Sequence, residues 1–321
     1  MSAYIIRRVL IAIPLLLAIT FLTFFLMHAT PGNFFDSIKL NPQISQATIA
    51  RYEKLYHLDQ PLATQYVHWV KNLFKGELGY SFFYNVPVIK IIGGRLLNTF
   101  ILSLASLLLT WLIAIPLGVW AAVRYNRLID RALSFFSFAG LSIPSFFLAI
   151  ILLYAASHWG GLPLGGMHSA DYDDLSALGK FFDLARHLII PTTVLSLGSI
   201  AGLQRIMRGN MLAVLRQQYI LTARAKGLPE GRVIYRHALR NAINPLITIL
   251  GYEFSGLLSG AALTEIICNW PGLGALMLTA MRAKDAYLVM ASMLMGGVLL
   301  LLGNLLSDLL LALSDPRIRY D

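Results

Sequence analysis

The chain has 321 residues, 57% of them hydrophobic and 13% charged, with a net charge of +10 and a mean hydropathy of +0.67. Soluble domains carry about 25% charged residues, and a water-surrounded globule cannot hide this much apolar surface, so lipid is the expected solvent. The one cysteine, Cys268, excludes an internal disulfide framework and a cysteine-rich metal site.

The first apolar run, Val9–Met27, follows Arg7 and Arg8. Its 19 uncharged residues exceed the roughly 7–15 of a cleavable signal and match the roughly 20 that span hydrocarbon. Residues 1–27 are therefore expected to be a short cytoplasmic segment and an uncleaved span. An outer loop follows over residues 28–95. Within it, Tyr66, Trp69, Val70, Leu73 and Phe74 recur at helical spacing after Pro61. They predict an amphipathic helix lying on the outer membrane face, or a docking surface for an external partner. Leu96–Val123 and Ala132–Ser157 read as the second and third spans. The glycine-rich stretch Gly160–Gly179 reads as a flexible outer loop, and its Asp171, Asp173 and Asp174 do not have calcium-loop spacing. Leu188–Gln204 is the fourth span, and a basic loop covers about 205–245. Leu246–Ile267 and Ala286–Leu313 complete six spans, before a tail over 314–321. In lipid only a helix or a closed barrel satisfies the backbone, and barrel strands would alternate polar and apolar residues. The fold class is thus all-α, a six-helix polytopic membrane protein whose last five helices form one domain over 96–313.

Lys and Arg set the orientation. With the N-terminus inside, 15 of the 26 fall on inner segments, eight of them in the basic loop. The inner side has four acids and the outer side nine. Both termini are expected in the cytoplasm.

Glu253, Glu265 and Asp308 lie inside spans, where acids are costly and mark functional positions. Glu253 is a candidate to line a pathway or pair with an arginine. Glu265 is expected at the interface and solvated, and Asp308 to snorkel or pair with Arg317. A salt bridge or a wet position outweighs substrate contact for each. Gly256 and Gly260 are spaced for close helix packing. The chain has no GxxxxGK[ST] phosphate loop, HExxH pair or GxSxG elbow, and an enzyme is not expected.

The basic loop has internal order. A helix through Tyr219–Lys226 is expected to stop at Gly227, a residue that accepts positive φ. Pro229 then suits a new start, and a second helix runs from near Glu230 toward Pro245. A topology signal needs no such layout. A nucleic-acid surface would bring a known module or exposed aromatics. Docking to a cytoplasmic partner fits best.

TARAKGL (Thr222–Leu228) followed by RHALRNA (Arg236–Ala242) resembles the coupling region of the membrane subunits of bacterial ATP-binding-cassette importers, in their dipeptide, oligopeptide and nickel branch. The N-terminal IIRRVL, TPGN at Thr30–Asn33, LDQPLATQYVHWV, GELGYS, TEIICNWPGLG and the terminal DPRIR resemble the first permease subunit of that branch. The resemblance implies a type I importer permease of the inner membrane. It implies a second homologous permease, two cytoplasmic ATPases and an external substrate-binding protein. ATP and Mg would be bound by the ATPases, with no cofactor or metal on this chain. It further implies that Thr222, Ala223, Arg224, Gly227, His237 and Leu239 couple to the ATPase, with small residues permitting close docking. A secondary transporter or channel using the intramembrane acids is the rival reading, though no inverted repeats are evident.

Overall fold

The computed structural model of the chain describes residues 2–30, 54 and 60–314. Helix α1 spans Ser2–Ala29 and α2 spans Leu62–Leu73. A two-residue antiparallel pair, β1 (Tyr80–Ser81) and β2 (Val86–Pro87), leads into α3, Val88–Val123. Next come α4 (Leu128–Ser142), α5 (Ser145–Trp159) and α6 (Ala177–Leu215). The basic loop holds α7 (Gln218–Ala225), α8 (Glu230–Arg232), a π-helical turn Val233–Ala238 and α9 (Leu239–Ala242). The chain ends in α10 (Asn244–Ile267), α11 (Leu273–Arg282) and α12 (Ala286–Ser314).

Helices therefore occupy all six expected spans, and among the described residues α1, α3, α6 and α12 are long and apolar enough to cross a membrane. The third span departs from expectation. Ala132–Ser157 is not one helix, because α4 and α5 meet at a bend of 100°. Pro144 lacks an N–H and pushes the residue before it out of the helical region; Ile143 accordingly has φ −85° and ψ 120°. Each half has 15 residues, about 22 Å of helix, short of the roughly 30 Å of hydrocarbon. Neither half is long enough to cross hydrocarbon alone.

Two compact units divide the chain. One joins Ile5–Thr99 to Pro271–Val298. Its core includes Trp69, Leu78, Val88, Ile92, Leu276 and Met290. Here the apolar face of α2 does not lie on lipid as expected. Trp69 is buried, its Nε1 donates to the Leu78 carbonyl at 3.1 Å, and the Tyr66 hydroxyl donates to the Leu17 carbonyl of α1 at 2.8 Å. Only the end of the stripe, Phe74, stays exposed. The buried Asp285 carboxylate pins the β1–β2 turn, accepting from Ser81 Oγ at 2.7 Å and the Phe83 amide at 3.1 Å.

The second unit is Phe100–Trp270 with Met1–Tyr4 and Leu299–Asp321, and α6 is its axis, with α4, α5 and α10 packed on it. Ser176 caps α6 by accepting from the Gly179 amide at 3.2 Å, so the helix begins well before the expected Leu188. The glycine-rich loop is tied down, against the expectation of flexibility. The Gly166 amide donates to the Cys268 carbonyl at 3.0 Å, and the Ser169 amide to Asp183 Oδ2 at 3.0 Å.

Helices α3 and α6 approach closely at Gly118. A Cβ there would stand 2.6 Å from Met207 Cβ and 2.9 Å from the Gln204 carbonyl. That carbonyl is helix backbone and cannot yield. Gly118→Val is expected to destabilise the protein by about 1–3 kcal/mol, the usual cost of overpacking. Thermal unfolding in detergent reads it, and an unchanged melting temperature would contradict this crossing.

Candidate functional site

The basic loop is a helix–turn–helix closed by its own backbone. The Gly227 amide donates to the Arg224 carbonyl at 2.9 Å and the Leu228 amide to the Ala223 carbonyl at 3.3 Å. This is the paired pattern of a glycine-terminated helix. Gly227 has φ +72° and its Cβ direction is open. Across the turn, Arg224 Nη2 donates to Glu230 Oε1 at 2.6 Å and its Nε to Oε2 at 3.2 Å. That hydrogen-bonded pair holds the Glu230 carboxyl below its ordinary value of 4.5.

One side of the loop is packed. Ile220, Ala223, Val233, Ile234, Ala238 and Ala242 join Leu203, Met207 and Met211 of α6 in one apolar cluster. Ala223, expected to permit close approach of a partner, is 8% exposed and faces this cluster. Its small size lets α7 sit on α6. Leu239 packs against the same cluster and His237 is half-buried. Thr222 is exposed, its hydroxyl donating to the Gln218 carbonyl at 2.9 Å. The open side carries Leu221, 48% exposed, Tyr235, 67% exposed, and Tyr219, together with Arg216, Arg232, Arg236 and Arg240. Sequence reasoning did not single out the two tyrosines. Their signal was the lack of any apolar periodicity that could bury them.

The acids expected in the spans have separate settings. Glu265 is fully buried and not solvated as expected. The chain reverses after α10 through Asn269, at φ +50°, and the Trp270 amide donates back to the Glu265 carbonyl at 2.7 Å. Asp308 is half-buried in α12; Arg317, its expected partner, lies outside the described residues, as do the tail and most of the Thr30–Asn33 motif. Glu253 faces a cavity of about 420 Å³ bounded by α4, α5, α6 and α10. Gly256, spaced for close packing of a helix or a subunit interface, lines this cavity, with nothing within 4 Å of its Cβ position among the described residues. The surroundings of Gly260 lie outside the described residues.

At the cytoplasmic end of α4, Asp130 receives a two-pronged bond from Arg208 of α6, at 2.5 and 2.8 Å, and the Asn126 amide at 2.9 Å. The guanidinium also lies 5.4 Å from the centre of the Tyr125 ring, within cation–π range. Sequence reasoning counted both residues only as loop charges.

A family model described as binding-protein-dependent transport system inner membrane component matches residues 114–320, and the model of its N-terminal part matches residues 1–105. The chain belongs to this permease family. It is 42% identical to the oligopeptide transport system permease protein AppB of Bacillus subtilis, with 100% of each chain covered. It is 35% identical to the dipeptide transport system permease protein DppB of Escherichia coli K12, over 100% of this chain and 99% of that one. Among solved structures, a chain of the inward-facing MetNI methionine ABC transporter has a similar fold, with a TM-score of 0.57 and 16% identity. The match covers 71% of this chain and 97% of that one. The permease is thus a multi-pass inner-membrane protein.

The Arg224–Glu230 pair is exposed, at 39% and 55% of the two side chains, and solvent screening limits its worth. A double-mutant cycle with Arg224→Met and Glu230→Gln is expected to give a coupling below about 1 kcal/mol. The sign with pH follows from the lowered Glu230 value. The coupling is complete above the ordinary carboxyl value of 4.5 and is lost as pH falls through the lower folded value. A coupling that grows on acidification would contradict this pairing.

Proposed function

We propose that this permease moves di- or oligopeptides into the cell as one of two homologous membrane subunits of an ATP-driven importer. Two cytoplasmic ATPases dock on the loop about 219–241, and an external binding protein delivers the peptide. ATP and Mg belong to the ATPases. The peptide substrate rests on the names of the relatives, which cover the whole chain.

One observation supports the docking role above others: the loop has two unlike sides. Its inner side is packed onto α6, so a push on it moves a helix rather than bending a loop. Its outer side offers Thr222, the Gly227 turn and an aromatic and cationic surface. Exposed Tyr219 and Tyr235 fit the aromatic anchors typical of protein interfaces, Leu221 adds apolar surface, and the arginines fit acidic rims. Arg224, already bridged to Glu230, stiffens the turn. ATPase closure shifts the bundle only if the closed ATPases bind one of its conformations better than the other.

Gly227→Asp tests this reading. Aspartate tolerates positive φ better than most residues, and the space around the turn is open, so folding and insertion are expected to survive. ATP-driven uptake is expected to be lost, along with co-purification of the ATPases in mild detergent. Normal uptake by that variant would sink the docking assignment.

A further inference from the structure

The cavity beside Glu253 has an unusual lining. Among the described residues it holds one carboxylate, the hydroxyls of Ser145 and Ser199, and otherwise only apolar residues and glycines. The Ser199 hydroxyl is hydrogen-bonded to the Glu253 carboxyl. Among the described residues no lysine or arginine lines the cavity or pairs with this acid. Contrast Asp130 in the same unit, whose carboxylate is filled by Arg208 and a backbone amide.

A carboxylate held inside a membrane without a fixed counter-cation is costly, and such groups face a water-filled cavity or a path. The volume, about 420 Å³, falls in the range of ligand pockets, roughly 300–1,000 Å³. Two positions in the walls are glycines with open space beside them. A Cβ added at Gly198 or Gly256 would meet nothing within 4 Å. The site is therefore wide, mostly apolar, and negative at one point.

We infer that this cavity is a transient station on the transport path that recognises a cationic group, with Glu253 as counter-ion and Ser199 orienting its carboxylate. Resting on the peptide reading above, the group is the protonated amino end of the peptide. A free α-amine titrates near about 8, so it arrives charged at neutral pH. Attraction between unit charges at close range is several-fold stronger in such a site than in water. Apolar walls accept side chains of any shape, so one fixed charge suits a carrier of many peptides.

The test uses the whole complex, purified with its partner subunits and reconstituted in vesicles. Uptake of tritiated alanine peptides of two to five residues is measured for the wild type, Glu253→Gln and Glu253→Asp. The expected result is at least a tenfold loss with Gln and substantial retention with Asp. Independently, Ser199→Cys is labelled with methanethiosulfonates carrying either a trimethylammonium or a sulfonate group. With each labelling rate divided by that reagent's rate on a free thiol in solution, the cationic reagent is expected to be favoured at least fivefold, and adding Glu253→Gln is expected to erase that preference. Cys268 is buried, and the parent without Ser199→Cys gives its background. Equal normalised labelling rates for the two reagents, or Glu253→Gln uptake within twofold of wild type, would overturn the inference. If the wild type moves no alanine peptide, the peptide reading fails, and the labelling ratio alone then decides whether the cavity selects cations. Should Glu253→Gln not assemble, the reagent ratio on Ser199→Cys with Glu253 intact decides the same point.

Discussion

The row Leu203, Met207 and Met211, one helical turn apart on α6, is buried against the cytoplasmic loop. On it depend both the shape of that loop and its usefulness. An eight-residue helix such as α7 has no stability of its own in water, since helices below about 12–15 residues are marginal. Packing onto α6 supplies what length does not. The same helix carries Gly198 and Ser199 in the wall of the cavity, about 18 Å from Met211 along its axis at 1.5 Å per residue. Loop and cavity thus share one rigid element, without any hinge between them in the described backbone.

The charged groups away from water divide by what surrounds them. Asp130 and Arg208 satisfy each other, so α4 and α6 are fixed together near the cytoplasm. Asp285 is met by a hydroxyl and backbone amides at the β1–β2 turn. Asp183 receives the amide and hydroxyl of Ser169. Each binds a neighbouring segment in place, as a buried charge must if it is to be tolerated. Glu253 instead faces space, and a group maintained that way serves something that comes and goes.

Much of this was legible in the sequence, for reasons that can be located. Long uncharged runs dictate helices in lipid, so the six helical positions follow directly. Gly227 followed by Pro229 fixes the turn, because one residue accepts positive φ and the other cannot continue a helix. Pro144 was harder to read: it sits in an unbroken apolar stretch, and Pro14, Pro116 and Pro191 lie within continuous helices. Periodicity showed that α2 has an apolar face but not what covers it, since protein and lipid select the same residues. Ala223 and Glu265 failed for a related reason. Whether a small residue or an acid faces inward depends on what packs against it, and the local pattern of residue types does not state that. Lys and Arg counts assigned Arg208 a side, yet they could not pair it with Asp130, 78 residues away.

The break at Pro144 has an osmotic consequence. A helix that stops inside a membrane leaves the last carbonyls of α4 and the first amides of α5 without helical partners, which is tolerated only within protein or beside water. The cavity adjoins this break, with Ile143 and Ser145 in its lining. At about 30 Å³ per molecule, its 420 Å³ holds on the order of a dozen waters. Any conformational step that closed this cavity would have to release that water, and excluded solutes would favour such a step.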